Sequence, residues 1–108
     1  MPTHNKLVRD KILEIIEAHG LSYNSKVLES HELLTEIKKK LYEEVKEFDE
    51  TKDEKDALEE LADVLELIHA ALKIYNKSFD DLENVRLEKK EIRGGFEKGL
   101  YLINVEDR

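Results

Sequence analysis

Four carboxylates in this chain have the type and spacing to do chemistry together. Glu44 and Glu47 stand three residues apart, as do Glu60 and Asp63, all within the stretch Leu41 to Leu72. That stretch reads as two helices joined by a short polar turn. Residues at i and i+3 are neighbours on a helix surface, so each pair points one way. Two antiparallel helices could therefore aim both pairs at one point. Carboxylates gathered in this way repel one another unless protons or cations intervene. An all-oxygen donor set suits a hard cation, Mg²⁺ or Mn²⁺. The plainer alternative is a set of rim carboxylates, each bonded to a Lys or Arg.

The elements that must position these groups are strongly patterned. At about 100° per residue, Leu33, Leu34, Ile37, Leu41, Val45 and Phe48 fall in one apolar arc roughly 120° wide. Glu44 lies inside that arc and Glu47 just off its edge. On the following helix the apolar residues between Ala57 and Ile74 cover roughly 240°, and Glu60 and Asp63 both fall inside. A carboxylate within an apolar stripe is costly to bury unless something pairs with it.

The rest of the chain supplies a frame. The first six residues, with Pro2, are expected to be extended. A first helix is expected from about Leu7 to His19, with Leu7 or Val8, Ile12, Ile15 and Ile16 inward, ending at a left-handed Gly20. The second should span about His31 to Glu50, capped by Ser30, and the third about Glu54 to Tyr75, capped by Asp53. Ser78 with Asp81 resembles a capping box for a fourth helix, Phe79 to Arg93, ended by Gly94–Gly95. Tyr23–Leu28 and Leu100–Val105 have strand-like patterns and could pair as a short β-hairpin. The fold expected is all-α, an antiparallel helical bundle in one domain over residues 1–108.

Composition bounds the function. The chain has 108 residues, 40% hydrophobic and 41% charged, with a formal charge of −8. Its apolar residues are periodic, which argues against disorder. The negative charge makes nucleic acid an unfavourable partner. No apolar run reaches the ~18 residues of a membrane span, and the N-terminus lacks a signal-peptide core, so a cytoplasmic location is expected. With no cysteine there is no disulfide, thiolate ligand or cysteine nucleophile. The wide apolar arc of the third helix is more than its own neighbours can cover, which predicts a homodimer or homotetramer.

Opposite charge comes from the fourth helix. Lys89 and Arg93 fall on its core side one turn apart, while Lys90 points away. Either their stems cover the core with their heads in water, or, beside a carboxylate–metal cluster, they hold phosphate oxygens. Lys6 and Arg9 offer a second basic cluster. Glu66-x-x-His69 matches half of a di-iron motif, but such a site needs two copies facing inward, and this one lies on the polar face. The four histidines show no paired ligand spacing and read as surface residues. No glycine-rich phosphate loop is present.

Together these residues resemble a known group. Glu43-Glu44-x-x-Glu47, then twelve residues, then Glu60-x-x-Asp63, matches the EExxE…ExxD signature of the all-α NTP pyrophosphatases, the MazG-like superfamily. Asn5 to Ile12 and Lys89…Arg93-Gly94-Gly95-Phe96 look like the small subgroup called phosphoribosyl-ATP pyrophosphohydrolase-like, or house-cleaning NTP pyrophosphatases. Leu13 departs from the proline expected in that subgroup, which touches a helix start and not the chemistry. The resemblance implies Mg²⁺-dependent hydrolysis of a nucleoside triphosphate, of a non-standard kind, to monophosphate and pyrophosphate. It implies Glu44, Glu47, Glu60 and Asp63 as metal ligands and catalytic residues, with Glu43 supporting them from behind. Lys89, Arg93, Lys6 and Arg9 are the candidate phosphate contacts. A phosphoribosyl-ATP pyrophosphohydrolase of histidine synthesis and a non-catalytic helical interaction module are the alternatives.

Overall fold

The computed structural model describes residues 2–107. Four helices follow one another: α1 (Ile12–Ala18), α2 (Ser30–Asp49), α3 (Glu54–Ile74) and α4 (Phe79–Arg93). They belong to two compact units, the first ending at Asn76 and the second beginning at Lys77.

The first unit is built on the α2–α3 hairpin, whose helices pack against each other along their length. Asp53 stops the polar turn by accepting a hydrogen bond from the Asp56 N–H at 2.8 Å, the expected N-cap of α3. The turn is too short to let the helices run anything but antiparallel. Inward faces follow a heptad spacing. On α2 this stripe is Leu33, Ile37, Lys40, Glu44 and Glu47; on α3 it is Ala57, Glu60, Val64, Leu67, Ala71 and Ile74. All the α3 members are half-buried. Ile37 is the one fully buried apolar side chain among the described residues. The carboxylates therefore stand in the seam between the helices, near its turn end.

Several boundaries differ from the sequence expectation. Helix α1 begins at Ile12, not Leu7, and Leu7 to Arg9 are not helical. The backbone at Asn5 is left-handed (φ 43°) and Arg9 is drawn away to α3, so the segment is held by tertiary pairing. Gly20 ends α1 as expected. Its φ is 72°, its N–H donates to the Glu17 carbonyl and that of Leu21 to the Ile16 carbonyl, the paired bonds of a Schellman motif. Ser30 is the first residue of α2 and not its cap; Glu29 stands there and makes no side-chain cap. The proposed β-hairpin is absent. Among the described residues there is no strand, and both Tyr23–Leu28 and Leu100–Val105 are irregular. Tyr23 instead donates its hydroxyl to Glu17 at 2.7 Å, tying its segment to α1.

The second unit holds α4. Its capping box is complete: Asp81 N–H donates to the Ser78 hydroxyl at 3.1 Å and Ser78 N–H to the Asp81 carboxylate at 2.8 Å. These bonds hold the Asp81 carboxyl below its usual pKa. Gly94 closes the helix with φ 84°. No helix among the described residues is long and apolar enough to cross a membrane.

Candidate metal centre

Glu44, Glu47 and Glu60 converge. Each offers a carboxylate oxygen, and these oxygens lie within 4.8 Å of one another. Glu44 is 6% exposed, a buried carboxylate one heptad step from the Ile37 core. Two oxygens, Glu44 Oε2 and Glu60 Oε2, are buried with no hydrogen-bond partner. Such orphaned acceptors are rare in a folded protein and costly, because facing carboxylates have no hydrogen to share unless one holds a proton.

The electrostatics show this cost. Desolvation, then the facing Glu60 and Glu47 carboxylates, then the charge of Asp63, push the Glu44 carboxyl up to about 8. The Lys40 ammonium, 3.9 Å from Glu44 and 3.8 Å from Glu43, does not offset this. Lys40 was not among the residues singled out by sequence, although its i+4 spacing to Glu44 places it in the same inward stripe. Glu43 is occupied with Lys40 at the rim.

Asp63 is near enough for its charge to act on Glu44, but its own carboxylate is paired elsewhere. Its carboxylate accepts from the Arg9 guanidinium at 2.5 Å. Arg9, a candidate phosphate contact, is thus a partner of a candidate ligand, and Asp63 lies outside the three whose oxygens meet. The plain ion-pair alternative holds for Asp63 and fails for the orphaned oxygens of Glu44 and Glu60. With every group ionised, Glu43, Glu44, Glu47, Glu60 and Asp63 outnumber Arg9 and Lys40 by three negative charges, two of which one divalent cation would offset. The donor set is all oxygen and suits Mg²⁺ or Mn²⁺.

A second group, Glu29, His31 and Glu32, also brings ligand atoms within 4.8 Å. Sequence spacing of the histidines missed it. It lies at the exposed start of α2, and its carboxylates are already near His31 (3.9 Å) and Lys26 (4.0 Å). His69 is half-buried, not a surface residue as its wheel position suggested.

In the second unit, Arg86, Lys89, Lys90, Arg93, Phe96 and Glu97 line a groove of about 820 Å³. Lys89 and Arg93 share it, as phosphate contacts would, but both are exposed within this unit and cover no core. Lys90 does not point away: it lines the same groove and lies 3.7 Å from Glu97. Arg86 is held by Glu83. Lys6 is exposed in the first unit.

No protein-family model, curated protein or solved structure matches this chain.

Proposed function

We propose that this chain is a Mg²⁺-dependent nucleoside triphosphate pyrophosphohydrolase of the MazG-like kind, acting on non-standard nucleotides as a homo-oligomer. The observation that carries this reading is the pair of orphaned oxygens, Glu44 Oε2 and Glu60 Oε2, buried beside Glu47 between two helices. A structural cluster would satisfy these atoms; a ligand cluster leaves them for a cation.

Glu44, Glu47 and Glu60 would hold the metal, with Asp63 joining them on release from Arg9. A bound divalent cation supplies neutralisation of the triphosphate and a water of lowered pKa. The bond from the α-phosphorus to the oxygen that bridges it to the β-phosphorus breaks, a water oxygen joins the α-phosphorus, and pyrophosphate leaves with the bridging oxygen. The water's proton would need an acceptor, for which a carboxylate of the site not engaged with the metal is suited. The resemblance assigns phosphate oxygens to Lys89 and Arg93 of the second unit, Arg as a planar fork and Lys as a point charge. Arg9 positions Asp63 and is free to meet a phosphate once exchanged.

The test is a panel of canonical and modified NTPs and dNTPs, with phosphoribosyl-ATP, in Mg²⁺, read as pyrophosphate release, with an EDTA arm. Release that needs the metal and is lost in Glu60→Gln supports the reading. Hydrolysis of phosphoribosyl-ATP alone would assign the chain to histidine synthesis. No release from any substrate would leave a non-catalytic helical module.

A further inference from the structure

Three lysines follow one another on α2: Lys38, Lys39 and Lys40. The first two are exposed. Lys40 is covered in part, and among the described residues it is the one lysine or arginine that is. Its side chain is 20% exposed. It stands in the inward stripe between Ile37 and Glu44, where the spacing of a helix–helix seam would put an apolar residue. A lysine at such a place ordinarily lays its stem on the core and sends its head to water. Here the head meets two carboxylates, 3.8 Å from Glu43 Oε1 and 3.9 Å from Glu44 Oε1. Helix electrostatics does not ask for this order, since a Glu four residues before a Lys is the favourable one and here the Lys comes first. Nor does Lys40 satisfy the orphaned atom, because it meets Oε1 and leaves Glu44 Oε2 without a partner. The two oxygens of Glu44 thus have different surroundings: one has a cation of its own helix beside it, the other is buried and unpaired.

We infer that Lys40 is a positioning residue of the metal centre: it braces Glu44 by Oε1, with Glu43 holding the ammonium from the rim, and so keeps Oε2 presented to a cation. The inference rests on the metal reading above and adds to it a residue that binds no metal itself. A glutamate reaches its carboxylate through several torsions, the last of them broad and soft, so a ligand glutamate needs something to hold it. The carboxylates that meet Glu44, from Glu47 and Glu60, carry like charge and cannot do so. Lys40 supplies attraction instead. At about 4 Å in a partly covered site, opposite unit charges attract by several times the thermal energy. A lysine that only stood in for the metal's charge would behave in the opposite way. Its charge would oppose a divalent ion in the same pocket, and removing it would tighten metal binding. Removing a brace weakens it. The sign of the change separates the two roles.

The experiment is titration calorimetry of the full chain with Mg²⁺ alone, repeated with Mn²⁺, beside circular dichroism and melting on the same samples. Lys40→Met keeps a long unbranched stem and a good helix former while removing the charge. Its Kd for the cation should rise about ten- to a hundredfold, the usual loss when a partner that orients a ligand is removed. Lys40→Arg keeps a cation within reach of both glutamates and should stay within about threefold of the wild type. Should Lys40→Met lose native helicity, Lys40→Gln carries the same comparison with a polar head. Unchanged or tighter binding in the uncharged variant, whatever its melting temperature, overturns the brace and leaves the metal centre standing. An equal loss in Lys40→Met and Lys40→Arg assigns the effect to packing and overturns it too. A wild type that binds neither cation overturns the metal reading, and this inference with it.

Discussion

Replacing Glu44 by Gln should make the metal-free protein more stable and the metal-treated protein less so. The folded Glu44 carboxyl titrates at about 8, against 4.5 in the unfolded chain. The fold therefore prefers its protonated form. That preference is fully present below pH 4.5 and is lost as pH rises to about 8. At pH 7 the ionisation penalty has accumulated over some two and a half pH units, on the order of 3 kcal/mol. Glutamine removes the ionisable group and keeps the shape, at the cost of an amide that needs its own partners, about 1 kcal/mol. A net gain of on the order of 2 kcal/mol raises Tm by roughly 10 °C in EDTA. Excess Mg²⁺ reverses the order: at a hundred times Kd it stabilises the wild type by about 2.7 kcal/mol, and the variant has lost a ligand. Because binding requires the carboxylate, Mg²⁺ affinity should rise with pH until about 8 and release a proton below it. Thermal unfolding of both proteins at pH 5, 7 and 8.5, with EDTA or Mg²⁺, reads all of this. A metal-free variant that melts below the wild type at pH 7, or an equal Mg²⁺ shift in both, would refute the reasoning.

Glu60→Gln should abolish most Mg²⁺-dependent pyrophosphate release while raising metal-free stability, checked by single-turnover hydrolysis beside a melting curve. Lys89→Ala and Arg93→Ala should each lower kcat/KM roughly ten- to a hundredfold through one lost charge-assisted phosphate contact, with Mg²⁺ affinity unchanged by titration calorimetry. Asp53→Ala and Ser78→Ala should each cost about 1 kcal/mol by removing a helix cap, visible as a lower urea midpoint with an unchanged slope.

What local sequence determined here is helical. The caps at Asp53 and Ser78, the stop at Gly20, the span of α4 and the inward placement of Glu44 and Glu60 all follow from interactions within a few residues or from the 3.6-residue period. Those rules act before the chain has any distant contact. The irregular path of Leu7 to Arg9 was not legible, because helical periodicity continues through it and the Arg9–Asp63 pair, 54 residues apart, draws Arg9 off it. Nor were Tyr23–Leu28 and Leu100–Val105, whose strand-like patterns need a pairing partner that periodicity cannot supply. The site divides the same way. Sequence spacing placed Glu44, Glu60 and Asp63 inside the apolar arcs and Glu47 at the edge. The tertiary structure separated them, bringing Glu44, Glu47 and Glu60 together and giving Asp63 to Arg9, since which cation reaches which carboxylate depends on where the chain returns in space. The rise of the Glu44 pKa to about 8 likewise needs both burial between two helices and a carboxylate from the second, a juxtaposition that neither helix holds alone.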